Sequence, residues 1–186
     1  LAESADTTAP ELDAILRAGD RAQQYLAALR SVGTVPAARQ HTDSHAFVAA
    51  LADTANALCR PAKLHFVLQE QWQGQFLCAA PELSRALENM LDNAVRYTPA
   101  GGTVTLTISK ADGDVAFTVT DTGPGFTPEA LHKAGQFLYT DAARPCNGHQ
   151  GLGLYLARSV AQAHVGKLVL ANTGTGAQVQ LCLPMQ

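Results

Sequence analysis

The chain has no long apolar run. Nothing in its 186 residues approaches the roughly 20 consecutive apolar residues that a membrane-spanning helix needs, and no secretory signal opens it. Basic charge is scarce. Thirteen Lys and Arg stand against 16 Asp and Glu, a net charge of -3, so no broad basic field recruits nucleic acid or an anionic membrane. Cysteine is sparse and scattered. Cys59, Cys78, Cys146 and Cys182 never form a Cys-x-x-Cys pair, which excludes a zinc ribbon or a disulfide framework. Three of them sit in apolar runs and read as buried, reduced thiols of a cytosolic domain. A start on Leu1 rather than Met reads as a piece excised from something longer.

What remains is ordinary globular material. At 47% hydrophobic residues, the chain can build one sizeable core and a small appendage. From about Glu11 to Val32, small or apolar residues (Leu12, Ile15, Gly19, Ala22, Leu26, Leu29, Gly33) step by three and four. That is a heptad seam, suited to a helix that pairs with other helices. Residues 33–38 read as a linker, so we divide the chain into a partial pairing helix (1–38) and a globular domain (39–186).

In that domain a short extended segment at Gln40–Asp43 precedes a helix over Ser44–Cys59. Alternation of Leu64, Phe66 and Leu68 predicts a strand, and Gln75–Cys78 a second. The stripe Leu83, Leu87, Met90, Leu91, Ala94 predicts a helix over 81–97. Residues 103–109 and 115–120 read as a hairpin, 128–134 as a short helix, 151–164 as another helix, and 167–171 with 177–183 as closing strands. Strands and helices mix without strict βαβ alternation. The fold class is therefore α+β, a two-layer sandwich of mixed sheet and helices.

Three segments carry chemistry. In Glu88-Asn89-Met90-Leu91-Asp92-Asn93-Ala94-Val95-Arg96-Tyr97, Asn89 and Asn93 are four apart and share a helix face. Amide oxygens are hard donors suited to Mg²⁺, and Arg96 nearby is suited to phosphate. Asp121-Thr122-Gly123-Pro124-Gly125 comes directly after a strand. Its glycines allow a tight turn, and its Asp can accept from an exocyclic amine. Gly148-His149-Gln150-Gly151-Leu152-Gly153-Leu154 leads into a helix, whose free N–H groups would face phosphate. A dinucleotide fingerprint is rejected, since these glycines do not come after an early strand of a βαβ unit. A Walker loop is rejected because no Gly-Lys-Ser/Thr ending exists.

Together, in this order and spacing, the segments resemble the catalytic ATP-binding domain of sensor histidine kinases, which share a superfamily with gyrase, heat-shock chaperone and mismatch-repair ATPases. The resemblance covers roughly Gln40 to the C-terminus, with a looser echo at Gly174-Thr175-Gly176-Ala177. It implies that Asn93 coordinates Mg²⁺ on the phosphates of ATP, with Asn89 beside it as the second catalytic asparagine. It implies that Arg96 contacts phosphate, Tyr97 packs near adenine, and Asp121 bonds the adenine amino group in a pocket shaped by Gly123 and Gly125. Gly151, Leu152 and Gly153 would lie against the phosphates. Residues 127–150 would form a lid, in which Phe137 and Arg144 are candidate nucleotide contacts.

The match has departures. Usual basic lid residues are missing around Phe137 and Tyr139, and His164-Val165-Gly166 stands where two glycines are usual. No histidine has the context of a phosphoacceptor; His65 and His164 read as structural. The helix over 11–33 resembles the second helix of the kinase dimerisation hairpin, so the resemblance puts the acceptor on a missing first helix and predicts that this chain does not phosphorylate itself. It further implies a response regulator as partner, a homodimer through the N-terminal helix, and a cytoplasmic domain of a membrane-anchored bacterial sensor. Hydrolysing relatives place a Glu four residues before the metal-binding Asn, where this chain has Asn89; that favours transfer over hydrolysis. The alternatives are a superfamily ATPase and a nucleotide-binding regulatory module without kinase activity.

Overall fold

A computed structural model describes Gly19 and residues 38–141 and 151–185. Gly19 is helical; the rest of the expected 11–33 helix, the linker up to Ala37, Arg144 and Cys146 lie outside the described residues.

The first elements are β1 (Gln40–Asp43) and α1 (Ser44–Cys59). Asp43 ends the strand and caps the helix, its Oδ1 accepting the Ala46 N–H at 2.9 Å, a bond that satisfies one of the orphan donors of the first turn. Then come β2 (His65–Glu70), β3 (Gln75–Cys78) and α2 (Ala80–Tyr97). The hairpin is β4 (Thr103–Ala111) and β5 (Asp114–Asp121). It is longer than the sequence pattern predicts, because Ala111 pairs directly with Asp114. That leaves the two-residue turn Asp112-Gly113, both with positive φ, 54° and 85°, the primed geometry that matches strand twist. The remaining elements are α3 (Pro128–Lys133), α4 (Gly153–Ala163), β6 (Lys167–Asn172) and β7 (Ala177–Pro184).

β1 and β3 form a small antiparallel pair. The main sheet has the order β2-β4-β5-β7-β6, with β2 parallel to β4 and all other neighbours antiparallel. This is the mixed sheet expected. One face is apolar and buried: Val104, Leu106, Ile108, Val115, Phe117, Val119, Val179, Leu181 and Leu183. The other carries Thr107, Thr118 and Gln180 in register, joined by a Gln180 Nε2 to Thr118 Oγ1 bond of 3.1 Å. Period-two alternation thus decides which face receives the helices.

α1, α2 and α4 cover the apolar face. α2 buries Leu83, Ala86, Leu87, Met90, Leu91 and Ala94, the expected stripe with Ala86 added. Each of its larger side chains contributes about 1.5–3 kcal/mol by leaving water. Phe47, Phe76 and Phe117 interlock with ring centroids 5.5–5.9 Å apart, tying α1 to both sheets.

His164, at the end of α4, is buried. Its Nδ1 donates to the Val160 carbonyl at 2.8 Å and its Nε2 accepts the Ala79 N–H at 3.0 Å. Ala79 is the N-cap of α2 and has no side chain to cap with, so a histidine 85 residues away joins the ends of two helices. That supports the structural reading of His164. His65 is different: it lies on the outward phase of β2 and is exposed, so it is not a satisfied core residue.

Candidate functional site

An open cleft, continuous with solvent, lies between α2, the end of β5, α3 and the start of α4. Its floor is one face of α2. Asn89, Asn93 and Tyr97 are spaced four residues apart and all line it. Asn89 Nδ2 donates back to the Arg85 carbonyl at 2.7 Å, which leaves Oδ1 as the oxygen turned outward, toward Gly153. Arg96 stands about 60° round the helix from Asn93, on the other side from Tyr97. It turns away from the cleft and pairs with Asp92 at 3.0 Å.

At the adjoining end, β5 delivers Asp121, a carboxylate only 8% exposed. Its Oδ1 accepts two backbone amides, Gly123 at 2.8 Å and Ala177 at 3.2 Å. Both bonds fall on Oδ1, so Oδ2 is the oxygen available to the cleft. Burial pushes the Asp121 carboxyl above its ordinary pKa, and the two amide bonds oppose that shift without cancelling it. Gly176 lies so close under the Asp121 carbonyl that any side chain there would collide with it. Gly123 shapes the turn by donating to Asp121 and packing on the Tyr97 carbonyl, while Gly125 lines the cleft itself.

The third wall is α3 together with residues 134–141 on its C-terminal side. Thr127 caps α3, accepting the Ala130 N–H at 3.1 Å, and donates to Asp141 Oδ2 at 2.7 Å. Arg158 on α4 donates to the Ala134 carbonyl at 3.0 Å and fixes the end of α3. Gly151 returns the chain to the cleft at φ 68°, with its Cα against the Tyr139 backbone. That positive φ is why α4 begins at Gly153, two residues later than the sequence pattern predicts. Gly153 and Leu154 line the cleft at the N-terminus of α4, whose N-cap, Leu152, makes no side-chain cap bond. First-turn N–H groups are thereby left without helical partners.

The structure therefore gathers Asn89, Asn93, Tyr97, Asp121, Gly125, Gly151 and Gly153 around one cleft. Leu152 is buried and does not line it, and Arg96 pairs with Asp92 instead. Phe137 is half exposed and packs edge to face on Tyr155 at 5.2 Å, outside the lining. Arg144 and the first glycine of the second box, Gly148, lie outside the described residues. Asp141, Thr140 and Ala130 also line the cleft; they fall in the stretch 127–150 expected as a lid, but the sequence singles none of them out. None carries a local signal; they reach the cleft only because α3 folds back over it.

A family model described as "Histidine kinase-, DNA gyrase B-, and HSP90-like ATPase" matches residues 78–186. The chain belongs to this family. Within it, the domain is of the histidine-kinase ATP-binding catalytic type. It is 43% identical over 107 residues to the sensor histidine kinase SpaK of Bacillus subtilis, covering 56% of this chain and 23% of that protein. With the histidine protein kinase DivJ of Caulobacter vibrioides it shares 37% over 105 residues, 55% of this chain and 18% of that one. The chain thus spans about a fifth of the length of these curated relatives. In fold it is similar to the mycobacterial sensor histidine kinase MprB, with a TM-score of 0.70 at 23% identity over 79% of this chain and 99% of that one. It is also similar to full-length ShkA, crystallised in complex with AMPPNP, with a TM-score of 0.82 at 23% identity over all of this chain and 40% of that one. Among the described residues, no helix is long and apolar enough to cross a membrane.

Proposed function

We propose that the cleft holds Mg-ATP and that the chain is the catalytic part of a sensor kinase, serving phosphoryl transfer to a histidine on a helical hairpin and onward relay to a response regulator. The observation that carries this reading is the pairing, in one cleft, of a buried carboxylate with an open oxygen (Asp121) and an amide-bearing helix face (Asn89, Asn93). A carboxylate whose other oxygen is satisfied by backbone suits a ligand's exocyclic amine, and outward amide oxygens suit a hard cation.

In this reading Asp121 selects the base and Tyr97 flanks it. Asn93, with Asn89 Oδ1 beside it, would hold Mg²⁺. Gly153 and Leu154 aim first-turn N–H groups of α4 at the phosphates, where the helix dipole favours negative charge. The bound nucleotide supplies the phosphoryl group; the protein's own contribution is positioning and charge neutralisation. No Glu occupies the position four before Asn93, so the site offers no side chain there to activate water, and transfer is favoured over hydrolysis. The N-terminal segment would supply the dimerising helix, and the parent protein would be a membrane-anchored sensor with this domain in the cytoplasm.

One observation favours a second reading, a nucleotide-binding regulatory module without kinase activity: no Lys or Arg lines the cleft among the described residues. Calorimetric titration with ADP and a non-hydrolysable ATP analogue, with and without Mg²⁺, tests the assignment on wild type and Asn93→Ala. Mg²⁺-enhanced binding that Asn93→Ala reduces to the metal-free level is the expected result. A folded protein that binds neither nucleotide would refute it.

A further inference from the structure

Asn172 ends β6, opposite the glycine loop at the end of β5. Its Oδ1 accepts the Phe126 N–H at 2.6 Å, and its Nδ2 donates to the Phe126 carbonyl at 2.9 Å. A single side chain thus reproduces both hydrogen bonds of an antiparallel strand pair, with a backbone 46 residues away in sequence. Gly125 completes the arrangement. It has a φ of 73°, and a β-carbon on it would lie 2.8 Å from Asn172 Oδ1. The missing side chain of Gly125 is the space that Asn172 occupies. Gly125 and Phe126 both line the cleft beside Asp121.

We infer that Asn172 is a positioning residue for the base-binding end of the cleft, holding Gly125 and Phe126 where they shape the wall beside Asp121. This rests on the nucleotide-binding reading and adds to it a residue remote from all three motifs. The loop between Asp121 and Phe126 contains Gly123, Pro124 and Gly125 and lies outside helix and strand. Asn172 supplies the anchor at its far end, as the Oδ1 bond of Asp121 to Gly123 does at its near end. The metal end of the cleft is built on α2 and does not depend on this clamp.

The test uses the whole 186-residue chain and Asn172→Ala, Gly125→Ala and the double variant. Amide exchange at Phe126 reads the clamp without nucleotide. Calorimetry with ADP and GDP, with and without Mg²⁺, reads the site, and thermal melting reads the fold. In Asn172→Ala the expected results are Phe126 exchange faster by about tenfold, ADP affinity lower by about tenfold, and a loss of preference for ADP over GDP, with Mg²⁺ enhancement and melting temperature retained. The expected effects of Gly125→Ala and Asn172→Ala are not additive, because the first displaces the side chain that the second removes. ADP affinity within about twofold of wild type, or unchanged exchange at Phe126, would overturn the inference. So would a loss of ADP affinity accompanied by equal losses of Mg²⁺ enhancement and melting temperature, which marks general loosening. A wild type that binds no ADP while Phe126 is protected overturns the nucleotide reading and the positioning role with it, but leaves the clamp itself standing.

Discussion

Asp121→Asn separates recognition from folding. The two amides that bond Asp121 both reach Oδ1, and an asparagine keeps that oxygen in place. What changes is the second atom, facing the cleft, which turns from an acceptor into an NH₂ donor. Against the exocyclic amine of a bound base, this removes a charge-assisted bond and opposes two donors. Losing such a bond costs about 1.5–3 kcal/mol, and a stranded donor about 1–3 kcal/mol more. A combined loss of about 3–5 kcal/mol is about a hundredfold to several thousandfold in affinity. Calorimetric titration with ADP reads it directly.

The apo domain responds in the opposite direction. Burial raises the pKa of Asp121 above its ordinary value of 3.8, so folding disfavours its charged form. A group raised in this way contributes its full stability below the unfolded pKa, and that contribution is lost as pH rises through the folded pKa. Asparagine carries no charge to bury. Asp121→Asn is therefore expected to melt at or above the wild-type temperature at neutral pH, with the difference shrinking as pH falls toward the ordinary carboxylate range. ADP binding within about threefold of wild type would refute the role given to Oδ2. A variant that melts well below wild type at neutral pH would refute the account of the buried charge.

Single contacts elsewhere give further expected outcomes. Val165 has a φ of 60° and is 72% exposed; a left-handed backbone costs an L-residue about 1–2 kcal/mol, more for a β-branched one, and glycine returns part of that as chain entropy. Val165→Gly is expected to stabilise the domain by about 1 kcal/mol in chemical denaturation. Gly176→Ala drives a methyl into the Asp121 carbonyl and should cost about 2–3 kcal/mol while weakening ADP binding. His164→Phe keeps the bulk but strands the Ala79 N–H, with an expected loss of about 1–3 kcal/mol in denaturant. His45 bonds Glu70 at 2.8 Å on the surface, and that bond, with Glu70's charge next in weight, raises its pKa above 6.5. The pair's contribution is present at acid pH and lost as pH rises through the raised value; NMR titration should show Glu70→Gln lowering it.

Most elements are legible in the sequence because their patterns are local. The α2 stripe and the alternation of β4 and β5 each arise from spacing within one element. The same holds for the three motifs, since each is a short run whose members sit on one helix face or one loop. Arg96 shows the limit. Three residues from Asn93 brings it near the same face, but about 60° of rotation and a carboxylate at Asp92 turn it outward. Phe137, an aromatic in the right stretch, packs on Tyr155 and does not line the cleft.

By itself the sequence determined the α+β class, the order of elements and the residues that the proposed function assigns to a metal, a base and phosphates, because helix and strand periodicities and motif spacing are properties of neighbours along the chain. Only the tertiary structure decided that Ala177 donates to Asp121, that His164 caps α2 through Ala79, and that Asn172 fills the space left by Gly125. Those pairs are 47 to 85 residues apart. Their partners are backbone groups, which every residue carries, so no side-chain pattern announces which one will arrive.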